Sequence, residues 1–284
     1  MELAEEEKEG QGSKPLHENV SASLLIWQGL KLEEQQYMLF HFSSYIWSYL
    51  VYRRRRLRAD MSSLGQHATD SQHAALLERG NRIRRKIDAW GEIQHLYMPY
   101  VASLRAKVDR EGGGKPRDAT TLDLFLPSQI LGEVDCDLQL FKFEWRLRFA
   151  QAHDALSDIR RLLILRSRLH RSKERFARGQ YHNTRGMAVL NRVNDRIQLH
   201  AKKYRHTHIL LQRLATELLT IGWDHQLKPL QDEDIRALEE GDGGGSTEGR
   251  RVLSWIWRVP GTINSNETTQ EGVLHNTSAN VLLT

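Results

Sequence analysis

Four histidines come nearest to metal chemistry. His200, His206 and His208 lie close together, and His153 adjoins Asp154. Zinc ligands on a helix need a shared face, such as i and i+4. His200 and His208 meet that approximately, at i and i+8. His206 falls on another side and no carboxylate is in register, so polar helix residues are expected here and no metal. Asp135 and Asp137 flank Cys136, with Glu144 two turns on. Side chains at i and i+2 diverge on a helix, so the two aspartates form no acid–base dyad. They suit a helix start, where negative charge is favoured. The lone Cys136 excludes an intrachain disulfide and a cysteine-based zinc cluster. Such a chain suits a reducing compartment, and a single thiol is more often inert than nucleophilic. No G-x-S-x-G, Walker A or G-x-G-x-x-G motif occurs. EGGGK and DGGGS lack the strand and helix flanks of a phosphate loop. We expect no catalytic residue, no metal and no cofactor.

The remaining chemistry is cationic. Between Lys142 and Arg205 there are seventeen Lys or Arg against five Asp or Glu, whereas the whole chain carries a net +5. The excess is therefore local and suits a polyanion partner. Arg166, Arg168, Arg171, Lys173, Arg175 and Arg178 cluster with only Glu174 opposing, and Lys202, Lys203 and Arg205 follow. Such side chains neutralise phosphates and release counterions without reading sequence. An ordinary solvated helix face is the competing explanation. Arg53 to Arg58 form a separate run suited to nuclear import or nucleic-acid contact.

Two long helices must carry these cations. Val134, Leu138, Phe141, Trp145, Ala152, Ala155, Ile159, Leu162, Leu169 and Phe176 recur at threes, fours and sevens, one face of a helix. Val193, Ile197, Tyr204, Leu211, Leu214 and Leu218 repeat the pattern. A break at GQYHNTRG, residues 179–186, predicts that the two fold back antiparallel. That would bring Lys202, Lys203 and Arg205 near Arg160 to Arg168 as one surface. Ser128 is the expected cap of the first helix, unless Gly132 breaks it.

Elsewhere the chain predicts an acidic, disordered start over 1–20 without a secretory signal pattern. A helical bundle is expected over 21–240. A linker and a short helix holding Trp255 and Trp257 occupy 241–261, and a disordered tail 262–284. Ser21 or Ser23 caps a first helix. Thr69 and Gln72 have the spacing of a capping box. Ile83, Ile87 and Trp90 continue a helix that Pro99 should break near Met98, and LDLFLPS reads as an extended lead-in. Asp232 is expected to cap a short helix over DEDIRAL.

Tyr37 to Tyr52 is the one strongly apolar run, with Arg53 following. A membrane span needs about 20 residues, and this run is shorter and holds His41 and several serines, so a membrane partner is not expected. A buried helix would lack a polar face.

LFLPS, LRFAQAHDAL and GQYHNTRG, in that order around a basic helix, resemble the C-terminal helical region of fungal Kyakuja-Dileera-Zisupton (KDZ) transposase-like proteins. The resemblance spans about residues 15–261 and rests on the order of short blocks, none a chemical signature. In that family LEEQQ runs directly into basic residues. Here they resume at RRRLRADM, so residues 37–53 read as a translated, in-frame intron or an insertion. The family's catalysis is implied to reside on a ribonuclease-H-like mixed sheet that precedes the matched region, so no catalytic residue carries over. From Thr262 the tail departs from the family. The expectation is an all-α, elongated antiparallel bundle with coiled-coil-like helices. Functionally, it is a non-catalytic transposase fragment in the nucleus that contacts DNA or supports assembly. The alternative is a coiled-coil scaffold that binds itself or another helical protein, with its charge merely solvating.

Overall fold

A computed structural model of the chain describes residues 16–17, 19–40, 67–111, 117–134, 136–176, 180–238 and 253–259. Among these the protein is all-α, without a strand. Helix α1 covers 22–40. It is followed by α2 (His67–Tyr97), α3 (Val101–Glu111), α4 (Leu138–Phe176) and α5 (Gln180–Glu217), with short 3-10 turns between and after them. Two compact units divide at Glu144 and Trp145, inside α4. No helix among the described residues is long and apolar enough to cross a membrane. The apolar run contributes Tyr37 to Phe40 to the end of α1, with Leu39 buried. The rest of it, the Arg53–Arg58 run and both termini lie outside the described residues.

In the first unit Ser21 caps α1, its hydroxyl accepting from the Leu24 amide at 3.3 Å. Thr69 does not cap α2, because the helix already starts at His67. Pro99 ends α2 as its missing N–H requires, and α3 restarts two residues later. The extended stretch 122–126 has no strand to pair its carbonyls, so buried side chains take that role. Gln36 donates to the Ala119 and Leu122 carbonyls at 2.8 and 2.9 Å. Gln94 donates to the Leu124 and Phe125 carbonyls at 3.1 and 2.9 Å. Trp90 donates to the Leu25 carbonyl. Phe125 is held at φ 54, a left-handed conformation that a residue with a side chain rarely adopts.

Ser128 is not the cap of α4. It is buried in a 3-10 turn, and both its amide and its hydroxyl donate to the fully buried Glu144 carboxylate, at 2.7 and 2.5 Å. Gly132, at φ 83, separates that turn from α4, which begins only at Leu138. Val134 therefore precedes the helix, and Leu138 at its first turn is half exposed.

In the second unit Ala152, Ala155, Leu156, Ile159 and Leu163 of α4 pack with Val193, Ile197, Ala201, Tyr204 and Leu211 of α5. Three contacts fix the direction. Lys173 Nζ lies 2.9 Å from Met187 Sδ, His200 Nδ1 3.4 Å from Asp158, and Thr207 Oγ1 3.4 Å from Gln151. As one number falls the other rises, so the pair is antiparallel. Helix α5 already starts at Gln180, so the connection is far shorter than residues 179–186. DEDIRAL forms only a 3-10 turn at Asp232–Asp234, and the tryptophan segment another at Trp255–Trp257. Two or three residues between polar neighbours offer too little apolar face to sustain a longer helix. The second turn still docks: Ile256 is fully buried, and Arg160 donates to the Val259 carbonyl at 3.0 Å.

Two substitutions test this packing. A β-carbon on Gly29 would sit 2.7 Å from both the Leu126 side chain and the Trp90 ring. Alanine is the better helix former by about 1 kcal/mol, yet overpacking costs about 1–3 kcal/mol. Gly29→Ala should therefore lower stability in urea unfolding. Leu219 ends α5 at φ 50, 83% exposed, with the Thr220 amide donating to the Ala215 carbonyl at 3.0 Å. That left-handed cap position favours glycine. Leu219→Gly should raise stability by about 1 kcal/mol in the same measurement.

Candidate nucleic-acid interface

The register of the hairpin decides which cations come together. Residues paired across it have numbers that add to nearly the same total, as the three contacts above show. Arg166 and Arg168 are therefore level with Arg192, and Arg171 with residues just after Met187. Lys202, Lys203 and Arg205 are level with residues 153–158. At 1.5 Å per residue this places them about 12 to 20 Å along the axis from Arg166. The expected single surface of both clusters is thus two levels, because the turn is shorter than its sequence suggested.

On α4 the cations divide by angle. Arg168 and Arg171 are exposed opposite the core, whereas Arg166 and Lys173 flank it and are half-buried. Arg175 lies in the last turn of α4, but its side chain and all of Arg178 fall outside the described residues. On α5 Lys202 is exposed and Lys203 half-buried. Arg205 is committed to the fold: Nε donates to the Leu230 carbonyl at 2.8 Å and an NH2 donates to Asp232 at 2.6 Å. Two of the local arginines are not surface charge, since Arg148 is fully buried and Arg160 nearly so. Burial lowers the Arg160 pKa below its usual value.

The exposed Arg192 and Arg196 were absent from the expected site. Arg192 is level with the Arg166–Arg168 pair. Counting outward from the short turn would have found it in the sequence. The histidines part company. His153 stacks edgewise on Phe149 at 4.7 Å, His200 faces Asp158, and His206 is exposed. His208 is buried with Nε2 3.1 Å from the Leu227 carbonyl. No group of three His, Cys, Asp or Glu is placed to hold a metal ion among the described residues.

Beneath the charged surface a polar clasp ties residues 223–238 to α5. Tyr204, fully buried, donates to the Lys228 carbonyl at 2.7 Å. Burial raises its pKa, and the Asp234 charge adds to that. The His208 ring lies 5.9 Å from Tyr204 and 5.2 Å from Trp223. Trp257 donates to the Arg236 carbonyl and Ser254 to that of Asp234. The class defined by these features is an all-α protein built on a basic antiparallel helical hairpin. No family model, curated protein or solved structure matches the chain.

The clasp gives a pH dependence. Burial lowers the His208 pKa below 6.5, and its bond to the Leu227 carbonyl opposes this only partly. A depressed histidine pKa means that the unfolded chain binds more protons. The contribution of His208 is therefore complete above pH 6.5 and is lost as pH falls through the depressed value. Unfolding free energy should fall on going from pH 7.5 to pH 5. His208→Gln, which keeps an N–H for Leu227 but cannot titrate, should flatten that segment of the profile.

Proposed function

We propose that the chain is a non-catalytic helical fragment of a KDZ-like transposase, whose basic hairpin contacts nucleic-acid phosphates in the nucleus. The observation that carries this is the placement of Arg168 and Arg171 on the outward side of α4, with Arg166 and Arg192 at the same level. Cations gathered at one level of a rigid hairpin give affinity by counterion release and need no base contact. The ordered blocks LFLPS, LRFAQAHDAL and GQYHNTRG support the family assignment. The all-helical character of the described residues supports a region outside a sheet-based catalytic core.

The test is binding of a labelled duplex by fluorescence anisotropy over a salt series. Binding should weaken steeply with salt. Changing Arg166, Arg168, Arg171 and Arg175 together to Glu should weaken it at least tenfold and flatten the slope of log K against log salt by about 3 to 4. A salt-tolerant oligomer that ignores duplex would instead establish a protein-binding scaffold.

A further inference from the structure

Helix α1 carries two seams. Leu25, Gly29, Leu32, Gln36 and Leu39 are buried, at steps of four, three, four and three. At 100° per residue Leu24, Trp27, Lys31, Glu34 and Met38 fall on the far side of the helix, within about 80° of one another. Trp27 leaves 46% of its surface in solvent, and Leu24, Lys31 and Met38 are exposed with it. Glu34 is half-buried. Single apolar side chains at a surface are ordinary. Three aligned along one outward seam are not scatter, and steps of three, four, three and four are those by which one helix packs on another.

The charges on the seam select its occupant. Lys31 Nζ lies 3.4 Å from Glu34 Oε2 and 5.8 Å from the centre of the Trp27 ring. The seam therefore presents a cation on its N-terminal side and an anion on its C-terminal side. A second copy laid antiparallel, with the twofold axis between residues 32 and 33, sets each Lys31 against the Glu34 of the other copy. The same register sets each Trp27 against the other Met38, a sulfur–aromatic contact that is favourable. The seam is thus self-complementary, as a twofold interface requires. A parallel copy would instead oppose Lys31 to Lys31 and Glu34 to Glu34, and like charges count against it. Residues 22–40 hold one Lys and two Glu. The helix therefore lacks the cationic rim that holds an amphipathic helix to an anionic lipid surface, and its anions disfavour phosphate.

We propose that the outward seam of α1, formed by Leu24, Trp27, Lys31, Glu34 and Met38, is a self-association site. Its occupant is the same seam of a second copy, packed antiparallel. This goes beyond the nucleic-acid reading and uses none of its residues. Each copy offers about four helical turns. That is at the small end of protein interfaces, so the dimer is weak, with micromolar affinity.

Sedimentation equilibrium of the full chain, without nucleic acid, over concentrations spanning the micromolar range tests this. The wild type should pass from monomer to dimer. Trp27→Gln with Met38→Gln should raise the dimer dissociation constant at least tenfold. Lys31→Glu and Glu34→Lys should each raise it about fivefold. An equimolar mixture of those two single variants should recover the wild-type constant, because opposite charges then face each other across the interface. Circular dichroism checks the fold of each variant. A wild type that stays monomeric overturns the proposal. So does a dimer that survives the Trp27 and Met38 changes, since it uses another surface. A dimer indifferent to both charge reversals, or a mixture that fails to recover, overturns the antiparallel register and the proposal with it. A monomer that instead co-sediments with phosphatidylcholine vesicles through Trp27 assigns the seam to lipid and overturns the second copy. None of these outcomes bears on duplex binding, which the salt series measures separately.

Discussion

The closeness of α4 and α5 in sequence is the constraint on which the second unit depends. With Phe176 ending one helix and Gln180 opening the next, the two can only return alongside each other, and the register is set within about one residue. Every later pairing follows. Asp158 meets His200, Gln151 meets Thr207, and Ala152, Ala155 and Ala201 let the helices pack closely. Lengthening the connection by half a turn would move all the α5 cations relative to α4. The distribution of charge over the hairpin is thus a consequence of backbone geometry.

Both units solve a second problem in the same way. Helices satisfy their own backbone, but the segments between them leave carbonyls without partners, and burying those without a donor is unfavourable. Buried polar side chains supply the donors. Gln36 and Gln94 hold residues 119–125, while Tyr204, Arg205, His208 and Arg160 hold residues 227–232 and 259. Glu144 is the inverse case, accepting from a turn amide and a hydroxyl. The irregular segments are therefore fixed by specific polar contacts as well as by apolar burial. Charge on this chain accordingly divides into buried arginines that hold backbone, such as Arg160, and arginines exposed at the surface, such as Arg168 and Arg171.

Periodicity made the buried face of the long helices legible: Phe141, Ala152, Ala155, Ile159, Val193, Ile197, Tyr204 and Leu211 are all buried. It missed Leu156 and Leu163, which widen the stripe beyond a single row, and it included Leu138, which the late start of α4 leaves half exposed. The polar members of the core were invisible to a hydrophobic pattern. Ser128 read as a helix cap and His208 as a polar helix residue until the carboxylate and the carbonyl they serve come into view.

The sequence by itself determined that the chain is helical, where α2 breaks, that α4 and α5 pair antiparallel, and that basic charge concentrates on them. These follow from local rules: the 3.6-residue period, the missing N–H of proline and the shortness of a connection. Only the tertiary structure decided which cations share a level, that Arg205 is engaged by Leu230 and Asp232, and that Ser128 grips Glu144 and caps no helix. Those outcomes depend on contacts between residues distant in sequence, whose geometry turns on one or two residues in a turn, and local propensity carries no information about them.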